Sequence, residues 1–159
     1  MEPLEITIGK YLRHWGLKLA LAESCTGGLV ADRITNISGS SDYFLGGIVA
    51  YAYEAKVALL GVSWDTLHEH GAVSRETVIE MAQGARIVLG ADLALSVSGI
   101  AGPGGGLPGK PVGYTWLGLS TSEGDWARNF TWTGDRIANK AASADAALQF
   151  LLDYLKKSA

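Results

Sequence analysis

The chain has 159 residues, 48% of them hydrophobic and 18% charged, with a net charge of −3. That length suits one domain with a full core and is short for two, and the composition is that of a globular chain, not a disordered one. The absence of a basic run argues against a nucleic-acid groove, and Cys25, the only cysteine, excludes an intrachain disulfide and a cysteine-rich zinc site.

In chain order, apolar residues at helical spacing (Leu4, Ile8, Tyr11, Leu12, Trp15) predict a first helix that Gly16 stops. Leu17 to Ala22 reads as a first strand with Lys18 near its exposed start. The run is too short for a signal-peptide core or a membrane span, so the expectation is a cytoplasmic protein without membrane contact. Asn36-Ile37-Ser38 and Asn129-Phe130-Thr131 match the glycosylation pattern by chance on that reading. Glu23-Ser24-Cys25-Thr26-Gly27-Gly28 follows, then a helix from Leu29 to Ile34. A strand, a glycine turn and a helix start can present backbone N–H groups to an anion, although such turns also serve packing alone.

Asn36 to Ser41 is a polar loop, and Leu45 to Ala52 predicts a second, largely buried strand. A helix from Glu54 ends at Gly61. Ser63 or Asp65 could cap a short helix through His70, and Ser74 opens a longer one to Leu89 with Val78, Met81, Ala82, Ala85 and Val88 as its apolar face. Leu93 to Val97 is a third strand. Val112 to Ser120 and Asp125 to Trp132 form a hairpin about Ser122-Glu123-Gly124, and the last helix runs from Asp135 to Lys157. Its inward face would carry Ile137, Ala141, Ala144, Leu148, Leu151, Leu152 and Leu155. Strand–helix alternation followed by a hairpin predicts a mixed sheet with helices on both faces, with neither repeat nor linker.

Several motifs are set aside on physical grounds. Gly104, Gly106 and Gly109 have dinucleotide-fingerprint spacing, but Pro108 and Pro111 lead into a strand where the motif needs a helix. His68 and His70 lie on different faces of a helix, so no metal is expected. Cys25 has no histidine nearby in sequence to activate it and reads as a small buried thiol. The glycine-rich loop from Ser98 to Gly106 follows a strand, where ligands of open α/β sheets sit, or is simply a mobile surface loop.

The most informative stretch is Gly39 to Lys56. It contains paired serines, a strand, Tyr51 and then Lys56 on a first helical turn. A surface lysine paired with a carboxylate is the ordinary outcome; a partly buried one has a lowered pKa and can act as a base. A hydroxyl with an amine can carry out acyl transfer.

Six segments, in order, carry a resemblance: Ala22-Glu23-Ser24-Cys25-Thr26-Gly27-Gly28, Gly39-Ser40-Ser41, Tyr51-x-x-Glu54-x-Lys56, His70-Gly71-Ala72-Val73-Ser74, Ser98-Gly99-Ile100-Ala101-Gly102-Pro103 and Lys110-Pro111-Val112-Gly113. The sequence resembles the CinA C-terminal domain family from about Ile8 to Leu155. The resemblance implies a three-layer α/β/α sandwich on a mixed, mostly parallel five-stranded sheet, spanning residues 1–159 as one domain. It also implies a nicotinamide mononucleotide deamidase, which yields nicotinic acid mononucleotide and ammonia without a cofactor. The larger CinA proteins carry a further molybdopterin-binding-like domain, and activities tied to it are not expected of these residues. The site implied is Ser–Lys: Lys56 as base, Ser41 or Ser24 as nucleophile, with Tyr51, Ser98 and the basic residues opening the last helix holding substrate. Phosphate would meet Thr26 and Gly27, or Arg136 and Lys140, with the glycine loop at Gly102 beside it. Two positions depart from the family pattern. Tyr53 stands where Asn or Asp is common, and Lys140 stands near the second of two arginines. A lysine holds phosphate without the bidentate fork.

A strand of about six residues spans roughly 20 Å, so Ser41, before the second strand, and Lys56, after it, lie too far apart for a lysine to bridge. Either Ser24 is the serine beside Lys56, or the Asn36–Ser41 loop folds back, or Ser41 comes from a second subunit. A homodimer is expected if the Trp-rich hairpin (Trp116, Trp126, Trp132) is exposed. The alternative function is a non-catalytic nucleotide-binding or regulatory module using the same pocket.

Overall fold

The computed structural model describes residues 1–158. In chain order the elements are α1 (Leu4–Trp15), β1 (Leu19–Glu23), α2 (Leu29–Thr35), a 3-10 turn (Ser40–Asp42), β2 (Phe44–Val49), α3 (Tyr53–Leu60), α4 (Trp64–His70), α5 (Arg75–Leu89), β3 (Leu93–Gly99), β4 (Tyr114–Thr121), β5 (Gly124–Thr131) and α6 (Arg136–Lys157). Among the described residues no helix is long and apolar enough to cross a membrane.

Local chemistry accounts for the element ends. Gly16, Gly61 and Gly90 each adopt the left-handed conformation that closes a helix with little steric cost. The side chains of Ser63, Ser74 and Asp135 accept amide hydrogen bonds at the starts of α4, α5 and α6. Ser63, and not Asp65, is therefore the cap of α4.

The sheet is mixed, in the order β2-β1-β3-β4-β5. β1 pairs in parallel with β2 and β3, while β3–β4 and β4–β5 are antiparallel; four strands therefore point one way and β4 is reversed. Strand alternation divides the core in two. Leu19 and Leu21 of β1 with Leu93, Leu95 and Val97 of β3 pack toward α1, α2 and α6. Ala20, Ala22 and Ala94 pack on the opposite face with Leu60 of α3 and Val78, Met81 and Ala85 of α5. This is the α/β/α sandwich. Close approach of α5 to the end of α3 depends on Gly84, where a Cβ would stand 1.8 Å from the Leu60 carbonyl oxygen.

Three expectations from the sequence are corrected. β2 is not largely buried: it is an edge strand on which Leu45, Gly47 and Val49 are exposed. Ile137 and Ala141 do not face the core but lie exposed on α6, where Ala144, Leu148, Leu151, Leu152 and Leu155 are buried. Val88 points outward near the end of α5. The β2 residues are exposed because the strand is at the sheet edge, and at the amino end of α6 the covered face is the one that carries Asn139 and Ser143.

Candidate active site

The carboxyl ends of the parallel strands gather the polar residues. Ser24 follows β1 and keeps the ladder going, its amide donating to the Val97 carbonyl of β3. By strand alternation its side chain emerges on the α3/α5 face, as does that of Ser98, two residues beyond Ser96, whose hydroxyl bonds the Val78 carbonyl of α5. Across the edge of the sheet, the chain leaves β2 through Ala50 and Tyr51 and enters α3, which places Lys56 on the first turn.

Lys56 is only 1% exposed. Its Nζ lies 2.9 Å from Ser24 Oγ, 3.0 Å from the Ala50 carbonyl oxygen and 3.0 Å from that of Tyr51. No carboxylate accompanies it, and burial pushes the amine down to about 8 from its ordinary 10.5. Three acceptors satisfy an ammonium. The same geometry also suits the free amine, with two N–H groups on the carbonyls and the lone pair receiving the Ser24 hydroxyl hydrogen. A serine and a desolvated lysine in this contact have the geometry that a nucleophile and its base require.

The pair opens into a cavity of about 210 Å³, also lined by Cys25, Tyr51, Ser98 and Arg136. A larger hollow of about 560 Å³ lies between the β4–β5 hairpin and the end of α6; Lys157 and Ser158 line it, but the Ser158 hydroxyl donates to the Tyr154 carbonyl and is not bonded to the Lys157 amine. Burial pushes the Cys25 thiol up to about 11, consistent with an unreactive buried thiol.

Arg136, the first residue of α6, reaches across the mouth. It donates to the Gly102 carbonyl oxygen at 2.8 Å and to the Tyr51 hydroxyl at 3.1 Å. Tyr51 is 61% exposed, so it forms part of the rim and not of the core. Lys140, one turn further on, brings its Nζ within 4.0 Å of where a Cβ on Gly27 would sit. The glycine loop is tied down on both sides: Lys110 donates to the His70 carbonyl, and the Asn139 amide donates to the Ala101 carbonyl.

The structure therefore brings Lys56, Ser24, Tyr51, Ser98 and Arg136 to one cavity, with Gly27, Gly102 and Lys140 at its border. Ser41 lies elsewhere, exposed in the 3-10 turn before β2, at the far end of that strand; within one chain it does not approach Lys56. The Thr26 hydroxyl is already committed, donating to Glu23 at 2.6 Å.

Two residues escaped the sequence reading. Glu23 is 1% exposed and accepts from Thr26 Oγ1 and the amides of Gly28, Val30 and Ala31. Asn139, 2% exposed, bridges the Ala101 carbonyl and the Gly134 amide. An acidic residue leaving a strand and an asparagine near a helix start ordinarily face water, so only the proximity of Glu23 to the glycine turn could have flagged either.

The family model for the CinA C-terminal domain matches residues 1–155. The chain belongs to the CinA C-terminal domain family. Among its relatives is a CinA-like protein of Chloroherpeton thalassium, 50% identical over 98% of this chain and 38% of its own length. A CinA-like protein of Geobacter sulfurreducens is 49% identical over 93% of this chain and 36% of its own. The chain thus spans less than two-fifths of the length of these curated relatives. Solved CinA-family structures match it along nearly their whole length. A competence/damage-inducible protein from Agrobacterium tumefaciens is 39% identical, with TM-score 0.92, covering 96% of this chain and 93% of that one. A CinA superfamily protein from Klebsiella pneumoniae is 34% identical, with TM-score 0.93, covering 97% and 96%.

Proposed function

We propose that this CinA-family chain is an amidohydrolase that deamidates nicotinamide mononucleotide to nicotinic acid mononucleotide and ammonia. The observation that carries the reading is the buried Lys56 amine 2.9 Å from Ser24 Oγ. In one chain this contact favours Ser24 over Ser41 as nucleophile. Ser24 Oγ attacks the carboxamide carbon while its proton passes to the Lys56 amine. The resulting ammonium protonates the leaving nitrogen as the C–N bond breaks, releasing ammonia and leaving an ester on Ser24. Lys56, again neutral, takes a proton from water, whose oxygen attacks the ester; the proton returns to Ser24 as the carboxylic acid leaves and then loses its own proton to solvent.

The glycine amides of the turn are not free to hold the oxyanion. Gly27 donates to the Ser24 carbonyl and Gly28 to Glu23. The amides of Cys25 and Thr26, immediately after the nucleophile, are the candidates that remain. The anion position at the start of α2 is filled by Glu23, so the substrate phosphate is better assigned to Arg136 and Lys140. A guanidinium has five N–H groups, of which Arg136 uses one each on Gly102 and Tyr51. A cavity of about 210 Å³ is below the roughly 300–1,000 Å³ of pockets for drug-sized ligands. It suits an amide-bearing ring inside with the phosphate at the rim.

The test is ammonia release from nicotinamide mononucleotide by the purified chain, expected for the wild type and lost in Lys56→Ala with the fold intact. Undiminished release by that variant overturns the mechanism. Binding without release would instead favour a non-catalytic nucleotide-binding module.

A further inference from the structure

Glu23 is a buried carboxylate without a cationic partner, adjacent in sequence to the serine of the site. Its backbone and side chain have separate tasks. The Glu23 carbonyl accepts from the Ala50 amide and the next amide, that of Ser24, donates to Val97; the last residue of β1 is thereby fixed to both neighbouring strands. Alternation sends the Glu23 side chain to the α2 face and the Ser24 side chain to the Lys56 face. On its own face the carboxylate binds the chain that follows. Oε1 accepts from Thr26 Oγ1 at 2.6 Å, the Gly28 amide at 3.2 Å and the Val30 amide at 3.0 Å, and Oε2 accepts from the Ala31 amide at 3.0 Å.

We propose that Glu23 is a positioning residue, an internal anion that folds residues 24–31 around its own carboxylate and so holds Ser24 and the amides of Cys25 and Thr26 toward the cavity. A flexible polar turn containing Gly27 and Gly28 has many conformations; four hydrogen bonds to one charged group, stronger than neutral ones, select one of them. Glu23 donates nothing to substrate and does not touch Lys56. The same contacts exclude phosphate from the start of α2, since the amides that an external anion would use are already taken. The side-chain length matters. Aspartate is one methylene too short to span Thr26 and Ala31 together, and glutamine turns an N–H donor toward at least one donor of the set.

The catalytic part of this inference rests on the amidohydrolase reading, so the experiment has two readouts. Glu23→Gln and Glu23→Asp are compared with wild type by steady-state ammonia release from nicotinamide mononucleotide and by amide hydrogen exchange. A positioning role predicts kcat lowered about 10- to 100-fold, KM within about threefold, and an unmoved pH midpoint, because the amine at Lys56 is untouched. It also predicts exchange at Gly28, Val30 and Ala31 accelerated at least tenfold, with the strands of the sheet still protected. Wild-type-like kcat in both folded variants overturns the positioning role, as does a shifted pH midpoint. So does unaltered exchange at the three amides, and that readout stands even if the wild type releases no ammonia, an outcome that would sink the amidohydrolase reading alone.

Discussion

At the amino ends of β1, β2 and β3 the polar groups face water; at the carboxyl ends they are enclosed. Lys18, at the start of β1, is exposed and donates its amine to the Asp42 carbonyl, while Asp92 accepts from the Lys18 amide at 2.7 Å. Arg13 meets Asp42 at 3.2 Å on the same side, both well exposed. At the opposite end, Lys56, Ser24, Ser98 and Glu23 are each no more than 7% exposed. The inventories are alike (a lysine, a carboxylate, a strand end), yet only in the enclosed set do a lysine and a serine meet away from water. Water holds an exposed ammonium in its charged form and screens its neighbours. Burial favours the neutral amine and fixes the acceptors around it.

The largest effect that would break this contrast is loss of the amine. Lys56→Met should lower kcat for ammonia release by at least about 10³-fold, the range of a lost general base. Ser24→Ala should match it, whereas Ser41→Ala should stay near wild type. The reverse serine result would move the nucleophile to Ser41 of a second copy and would show up as complementation between mixed variants. Next comes pH. In the wild type kcat/KM should rise with pH about a midpoint near 8, as the Lys56 amine becomes free.

The same titration has a stability consequence of definite sign. Below about pH 8 the folded and unfolded chains both carry the proton, and the fold bears the full cost of a buried ammonium. Between about 8 and 10.5 only the unfolded chain binds it, so wild-type stability relative to Lys56→Met rises with pH by up to about 3 kcal/mol and then levels off. Chemical denaturation of both proteins at pH 7 and pH 10 measures it; a difference that stays flat would mean the amine is hydrated. Smaller still, Arg136→Ala and Lys140→Ala should raise KM for nicotinamide mononucleotide about tenfold with kcat nearly unchanged, since they are assigned to a phosphate remote from the reacting carbon.

What the sequence disclosed divides along the same line. Caps and stops are local chemistry, so Gly16, Gly61, Gly90, Ser74 and Asp135 mark their helix ends in advance. Alternating strands and helices place Lys56 and Ser24 at the carboxyl ends of their strands, and a strand's length separates Ser41 from Lys56. Sheet order is not local. Val49 and Leu45 read as interior because they are apolar, and they are exposed because β2 is an edge strand. Ile137 and Ala141 follow the helical period, but at that end of α6 the covered face is the one that carries Asn139 and Ser143. Glu23 was illegible for a related reason: nothing in its neighbours shows that a carboxylate at a strand end will find four donors and remain in the interior.

The mildest test sharpens the comparison from the exposed side. Lys18→Met removes an amine that precedes β1 at the exposed end of the sheet, beside a carbonyl acceptor. Its backbone amide can still donate to Asp92, so the turn before β1 keeps its anchor. The amine at Lys18 is exposed and makes a single hydrogen bond, to the Asp42 carbonyl, so its loss should alter stability by no more than about 1 kcal/mol. For Lys18→Met kcat should be unchanged. Denaturation and ammonia-release measurements run in parallel on the two lysine variants isolate burial as the variable. A loss of activity beyond twofold in Lys18→Met would mean that the exposed end of the sheet also bears on the site, and that burial alone does not explain the assignment of Lys56 as the base.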